Sequence, residues 1–154
     1  MIARVAKQIA ARSSSGYPQE FHPRVLPREV RPVGDAFGLT AIGVNLVTIL
    51  PGKESSLRHH HSHEDELIYV LEGELVLHTN EGEERLQAGM VAGFCAGDGN
   101  GHHLINRSAN NAVYLVVSNR HLLDSACYPD DDLAVRKGPD GKHKFTRKSE
   151  DSVG

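Results

Sequence analysis

The sequence predicts an all-β domain, an antiparallel sandwich or barrel, on two observations. Between Gly34 and Arg120, runs rich in Val, Leu, Ile and Tyr recur at near-regular spacing with turn residues between them, the pattern of short strands joined by tight turns. Over the same stretch no apolar pattern keeps a helical period beyond two turns. At 154 residues the chain is long enough for one domain with a proper core.

In order along the chain, residues 1–33 read as an arm. "MIARVAKQIAARSSSG" carries Arg4, Lys7 and Arg12, has apolar residues at helical spacing and meets no acid before Glu20. It lacks the apolar core of a secretory signal. Its composition resembles an organellar transit peptide, and a short helix or frayed arm is the simpler expectation. Pro18, Pro23, Pro27 and Pro32 then forbid a long helix or a central strand. The barrel region, 34–120, opens with "GLTAIGVNLVTIL" (38–50), which stops at Pro51-Gly52. "ELIYVLEGELVLHT" (66–79) follows, with Gly73 at its middle, then the turn "NEGE" (80–83) and the runs "ERLQAG" (84–89), "MVAGFCA" (90–96), "HHLINR" (102–107) and "VYLVVSNR" (113–120). Residues 121–154 form a polar C-terminal extension. Its "GPDG" (138–141) is a turn signal suited to a last small hairpin, and "RKSEDSVG" (147–154) is expected to be disordered.

Composition excludes several functions. A net charge of −3 gives no reason to expect nucleic acid or an anionic membrane as partner, and no apolar run reaches the roughly 18 residues of a membrane span. Two cysteines, Cys95 and Cys127, make no disulfide framework, so a reducing, cytoplasmic setting is expected. "GDGNG" (97–101) lacks the Lys-Ser/Thr of a phosphate-binding P-loop, and no Gly-x-Ser-x-Gly elbow marks a serine hydrolase.

The chemistry is concentrated in "RHHHSHEDEL" (58–67). Alternate residues of a strand share a face, which sets His59, His61 and His63 on one side and His60 and Ser62 on the other. Glu66 shares the parity of Ile68 and Val70, and is preferred over Glu64 and Asp65. It lies where the chain could have turned back antiparallel to the histidine strand. Two imidazoles and a carboxylate form a compact face suited to Fe, Mn, Ni, Cu or Zn, with coordination positions left open. A fourth ligand has to come from elsewhere, and "GHHLIN" (101–106) offers His102 or His103. Arg58 and Arg107 are candidates to clamp an anionic substrate, since guanidinium forks match carboxylate and phosphate oxygens. Of the acids in "DDD" (130–132), only Asp130 and Asp132 could share an ion, and a solvated face is the better expectation.

"PGKESSLRHHHSHEDELIYVLEGEL" resembles the first motif of the cupin superfamily, in which a glycine, a His-x-His pair, a glutamate and a second glycine follow at set intervals. Here Gly52 leads by six residues to His59-x-His61, four residues precede Glu66, and six separate it from Gly73. "GMVAGFCAGDGNGHHLIN" resembles the second motif, with Gly89 five residues before Cys95-Ala96-Gly97 and His102 three residues before Asn106. Cys95 stands where the family has proline, and "DGNG" lengthens the turn before the histidine by two residues. That extra length opens the choice between His102 and His103, and the His-x3-Asn spacing favours His102.

The resemblance implies a double-stranded β-helix jelly roll with His59, His61, Glu66 and His102 as ligands of one divalent metal ion. It also implies a homodimer, which fits an "LIYVL" strand apolar on both faces. "EDELIYVLEGE", "NGHHLINRS" and "YPDDDL" look closest to small bacterial cupins labelled sugar-phosphate isomerases or regulators. The function expected is that of a mononuclear metal enzyme acting on a small oxygen-rich molecule by isomerisation, decarboxylation or oxygenation. His63, Glu64 and His103 are its candidate bases. A non-catalytic small-molecule-binding module is the alternative.

Overall fold

The computed structural model describes residues 2–151, and their strands form three antiparallel sheets. In chain order the strands are β1 (Arg28–Arg31), β2 (Ile42–Ile49), β3 (His60–His61), β4 (Glu66–Glu72), β5 (Glu74–Thr79), β6 (Gly82–Gln87), β7 (Val91–Phe94), β8 (His103–Ile105), β9 (Ala112–Asn119), β10 (Ser125–Cys127), β11 (Ala134–Lys137) and β12 (His143–Thr146). The largest sheet runs β1-β2-β9-β4-β7; the others run β12-β11-β10-β3 and β6-β5-β8. This is the all-β jelly roll that the sequence predicted.

Alternation along the longer strands builds the barrel core. On β4, Ile68 and Val70 are buried while Leu67, Tyr69 and Leu71 are exposed. Ile68 and Val70 join Val47 and Ile49 of β2, Leu75 and Leu77 of β5, Leu86 of β6, Leu104 of β8 and Tyr114 of β9. Members come from the five-stranded and the three-stranded sheets, which therefore face one another across this core. Each fully buried aliphatic side chain contributes roughly 1.5–3 kcal/mol. At the corner between β4 and β5, Gly73 has φ +76°, and a Cβ there would lie 2.7 Å from the Asn111 carbonyl oxygen. Only glycine meets both demands.

A second core sits beneath the histidine segment, where Leu57, Ala126, Tyr128, Leu133 and Val135 are packed against Tyr17, Phe21 and Phe145. Apart from Leu57, its residues come from the arm and from the C-terminal extension. The prolines act on the arm as expected. Pro23 lies in the first turn of a four-residue helix, His22–Val25, and β1, bounded by Pro27 and Pro32, is an edge strand registered on β2. Near the N-terminus a 3-10 turn spans Ala6–Gln8, and Ile9 after it is buried.

The polar extension is more ordered than its composition suggested. It supplies β10, β11 and β12, and "GPDG" links the last two as a hairpin. One helical turn, Lys148–Asp151, occupies part of the segment expected to be disordered, and the Ser149 hydroxyl donates to Asp132 at 2.8 Å. Residues 152–154, the rest of that segment, lie outside the described residues.

One expectation needs correction. The histidine strand does not pair with the strand that carries Glu66. β3 pairs with β10, Ala126 opposite His61 and Cys127 opposite His60, while β4 lies between β7 and β9 in the largest sheet. The alternating apolar face of β4 belongs to the barrel core, and that burial outweighs the short loop to β3.

Candidate metal centre

Three elements bring His59, His61 and Glu66 into one cluster and set His102 against Glu66. His59 and His61 come from the β3 segment, Glu66 from the start of β4, and His102 from the turn before β8, bridged to His59 by backbone hydrogen bonds of 2.9 and 3.2 Å. His59 Nε2 lies 3.1 Å from His61 Nε2, and His102 Nε2 lies 3.4 Å from Glu66 Oε1. One ligand atom from each of His59, His61 and Glu66 falls within 4.8 Å of the others. The His102 ring is stacked on Phe94 at 3.6 Å between centroids and 3° between planes, which fixes its orientation.

The outer ring nitrogens decide what the inner ones can do. His59 Nδ1 donates to the Leu57 carbonyl at 2.8 Å, and His61 Nδ1 donates to the Asp124 carboxylate at 2.7 Å. His102 Nδ1 faces the Asn100 carbonyl at 3.5 Å. The Leu57 carbonyl and the Asp124 carboxylate hold the protons of His59 and His61 on Nδ1 and leave each Nε2 with its lone pair. Burial, helped by the neighbouring His61, lowers the His59 pKa to about 4, so this ring is neutral near pH 7. Burial would raise the Glu66 pKa, but the His102 contact and the other histidine rings outweigh it and hold the carboxyl below its ordinary range. Lone pairs on His59 and His61 Nε2 converging beside a carboxylate, with His102 next to it, are the donor set of a divalent transition-metal site. The residues present fit such an ion.

Asp124, which the sequence reading did not single out, is the orienting group of this cluster. Its carboxylate is buried, receives His61 Nδ1 on one oxygen, and accepts the backbone N–H groups of His63 and Glu64 on the other at 2.9 and 3.1 Å. Burial pushes its pKa up, and these hydrogen bonds overcome that and hold it low.

The other nominated residues are engaged within this chain, although Glu64 lies beside the cluster, with ligand atoms of Glu64, His61 and Asp124 within 4.8 Å of one another. His63 is exposed and stacked on His121. Glu64 is held by Lys137 and accepts the His121 N–H. His103 lines the smaller cavity with Glu66 and His102, but its ring nitrogens are engaged: Nδ1 donates to the Ser56 carbonyl at 2.9 Å and Nε2 lies 3.2 Å from His78 Nδ1. The Arg58 fork is taken by Asp130, at 2.7 and 2.9 Å, and that of Arg107 by Glu83, at 2.6 and 2.7 Å. Neither lines a cavity beside the cluster, because a carboxylate of this chain already fills each fork. Asp130, Asp131 and Asp132 are bonded separately, to Arg58, Arg24 and Ser149.

Two cavities meet at His59. The larger, about 430 Å³, is also lined by His61; the smaller, about 130 Å³, by Glu66 and His102. The larger has walls from the arm, including Tyr17 and Arg28, and from the extension, including Tyr128 and His143. Arg28 and His143 also escaped the sequence reading.

A cupin domain profile matches residues 45–118. A crystal structure named sugar phosphate isomerase of the cupin superfamily, from Silicibacter pomeroyi, is 42% identical to this chain over 93% of it and 90% of that chain, with a TM-score of 0.88. The chain belongs to the cupin superfamily. A structure from Acidithiobacillus ferrooxidans with the provisional name sugar phosphate isomerase is similar to this cupin at 30% identity, covering 80% of this chain and 78% of the other with a TM-score of 0.72. A predicted oxalate decarboxylase from Thermotoga maritima shares its fold at 23% identity, with a TM-score of 0.60 over 77% of this chain and 98% of that one. Among curated proteins no sequence matches. Among the described residues no helix is long and apolar enough to cross a membrane.

Proposed function

We propose that this cupin holds one divalent transition-metal ion on His59, His61, Glu66 and His102 and is a metal-dependent enzyme acting on a small oxygen-rich molecule, a sugar derivative or a hydroxy or keto acid. The observation that carries this reading is the pair of Nε2 atoms 3.1 Å apart, each left with its lone pair by an acceptor on the far side of its ring. A bound ion supplies Lewis acidity to a ligand oxygen. The protein's own part is to aim the His59 and His61 rings, to hold Glu66 ionised, and to supply the walls of the larger cavity. Isomerisation is favoured over decarboxylation and oxygenation by the name of the Silicibacter pomeroyi relative. Binding without turnover is the second reading. It draws on the placement of the candidate bases, since His63 and Glu64 line neither cavity and both ring nitrogens of His103 are engaged.

The reading includes a cytoplasmic homodimer. The outer face of β4 leaves Leu67, Tyr69 and Leu71 exposed in a single chain, with Val91 of β7 registered against Tyr69, and a second copy of that face is its proposed cover.

Elemental analysis of untagged protein purified without chelator tests the metal. About one ion per chain is expected in wild type, none in His61→Ala, and a larger loss in His102→Ala than in His103→Ala. Full occupancy in His61→Ala would reject the ligand set. Sedimentation of Leu67→Glu should give monomer where wild type gives dimer.

A further inference from the structure

Arg28 lies on the wall of the larger cavity, the one His59 and His61 also line. Its Nη1 donates to the Ser55 carbonyl at 2.9 Å and its Nη2 reaches the Ser14 carbonyl at 3.5 Å. Its Nε is buried and has no partner. By contrast Arg24, Arg58, Arg107, Arg120 and Arg147 each pair with a carboxylate. Among the described residues none pairs with Arg28. The two carbonyls explain how the side chain helps pin the arm. They leave both the net charge and the Nε donor unanswered, and a buried donor without an acceptor is costly.

No acidic group on the cavity wall opposes that charge. Arg28, His59, His61 and His143 stand on the walls of this cavity, and no aspartate or glutamate does. Glu66 opens on the smaller cavity beyond His59. A guanidinium is weakly hydrated and presents its donors in a rigid fork matched to carboxylate and phosphate oxygens. At about 430 Å³ the space suits a small molecule.

We propose that Arg28 seats the anionic end, a carboxylate or phosphate, of the molecule this cupin binds, while oxygen atoms at the other end of that molecule meet the histidine and glutamate cluster. The second half rests on the metal reading above; the first does not. Arg28, and through it the arm, then selects for charged over neutral ligands, the role for which Arg58 and Arg107 are already occupied.

Isothermal titration calorimetry with inorganic phosphate and with glycolate, on metal-free and Mn²⁺-loaded protein, tests this. Wild type is expected to bind at least one of the two in both forms. Arg28→Gln should lose tenfold or more in affinity for that anion in both forms, with metal content unchanged. Tighter phosphate binding would assign a phosphorylated ligand, and tighter glycolate binding a carboxylate. Arg28→Lys keeps the charge without the fork and should weaken binding several-fold, so it carries the test if Arg28→Gln does not fold. Wild type binding neither anion, or unchanged affinity in the variants, would overturn the proposal. Arg28-dependent binding in a protein that takes up no metal would uphold the anion seat and reject the metal reading.

Discussion

The barrel core and the core beneath the larger cavity are built differently. The first is framed by long ladders: β2 and β9 register eight residue pairs, from Ile42 opposite Asn119 to Ile49 opposite Ala112. The second gathers short pieces, with β3 and β10 sharing only two registered pairs and Leu57 and Leu133 standing outside any strand. The cluster lies where they meet. Glu66 and His102 are attached to the barrel frame, and His59 and His61 to the strand that β10 holds. The rigid half fixes where a ligand atom can stand, and the looser half brings the histidines and the cavity walls to it. Local stability follows the density of ladders and buried contacts.

The comparison can be broken most directly by truncating one large side chain in each core. Leu75→Ala and Leu133→Ala both remove a fully buried leucine, and each should cost about 2–5 kcal/mol. Leu75→Ala is expected to lower the whole unfolding transition. Leu133→Ala should raise hydrogen exchange in β10–β12 and weaken metal retention, while β2 and β9 amides stay protected. Equal loss of protection in both regions would show one cooperative unit. Next in size, Asp124→Asn should weaken metal binding by roughly 10–100-fold with the β spectrum unchanged, since the amide no longer fixes the His61 proton. Competition with a chelator of known affinity measures it.

The smallest effect concerns the clasp between the two regions, Arg58 with Asp130. The hydrogen bond from Arg58 holds the Asp130 carboxyl below its ordinary range. A depressed carboxylate pKa stabilises the fold above the unfolded value, near about 4, and loses that contribution as pH falls through the folded value. The stability gap between wild type and Asp130→Asn, read from denaturant midpoints, should therefore be small at pH 7 and close below about pH 4.

Legibility in the sequence follows the same division. The barrel strands and the His59-x-His61, Glu66 and His102 pattern could be read because strand alternation and motif spacing are local signals. Asp124 could not, because it meets His61 from 63 residues away with nothing periodic between them. Arg28 lies in a four-residue edge strand between prolines, and His143 in an equally short strand of a segment whose polar composition suggested a tail. Arg58 and Arg107 misled because sequence names the fork without naming the carboxylate already in it. The pairing of β3 was misread because nearness in sequence suggested a hairpin, whereas two-residue strands carry no pattern that identifies a partner.

That pairing also sets an order of events during synthesis. The ladder neighbour of β3 is β10, whose first residue is Ser125. While the chain is still emerging from the ribosome, all four nominated ligands are present well before the strand and the Asp124 carboxylate that aim His61. A nascent chain stalled short of Asp124 would carry all four nominated residues yet lack the scaffold that orients His61, so the geometry of the cluster is completed late in translation.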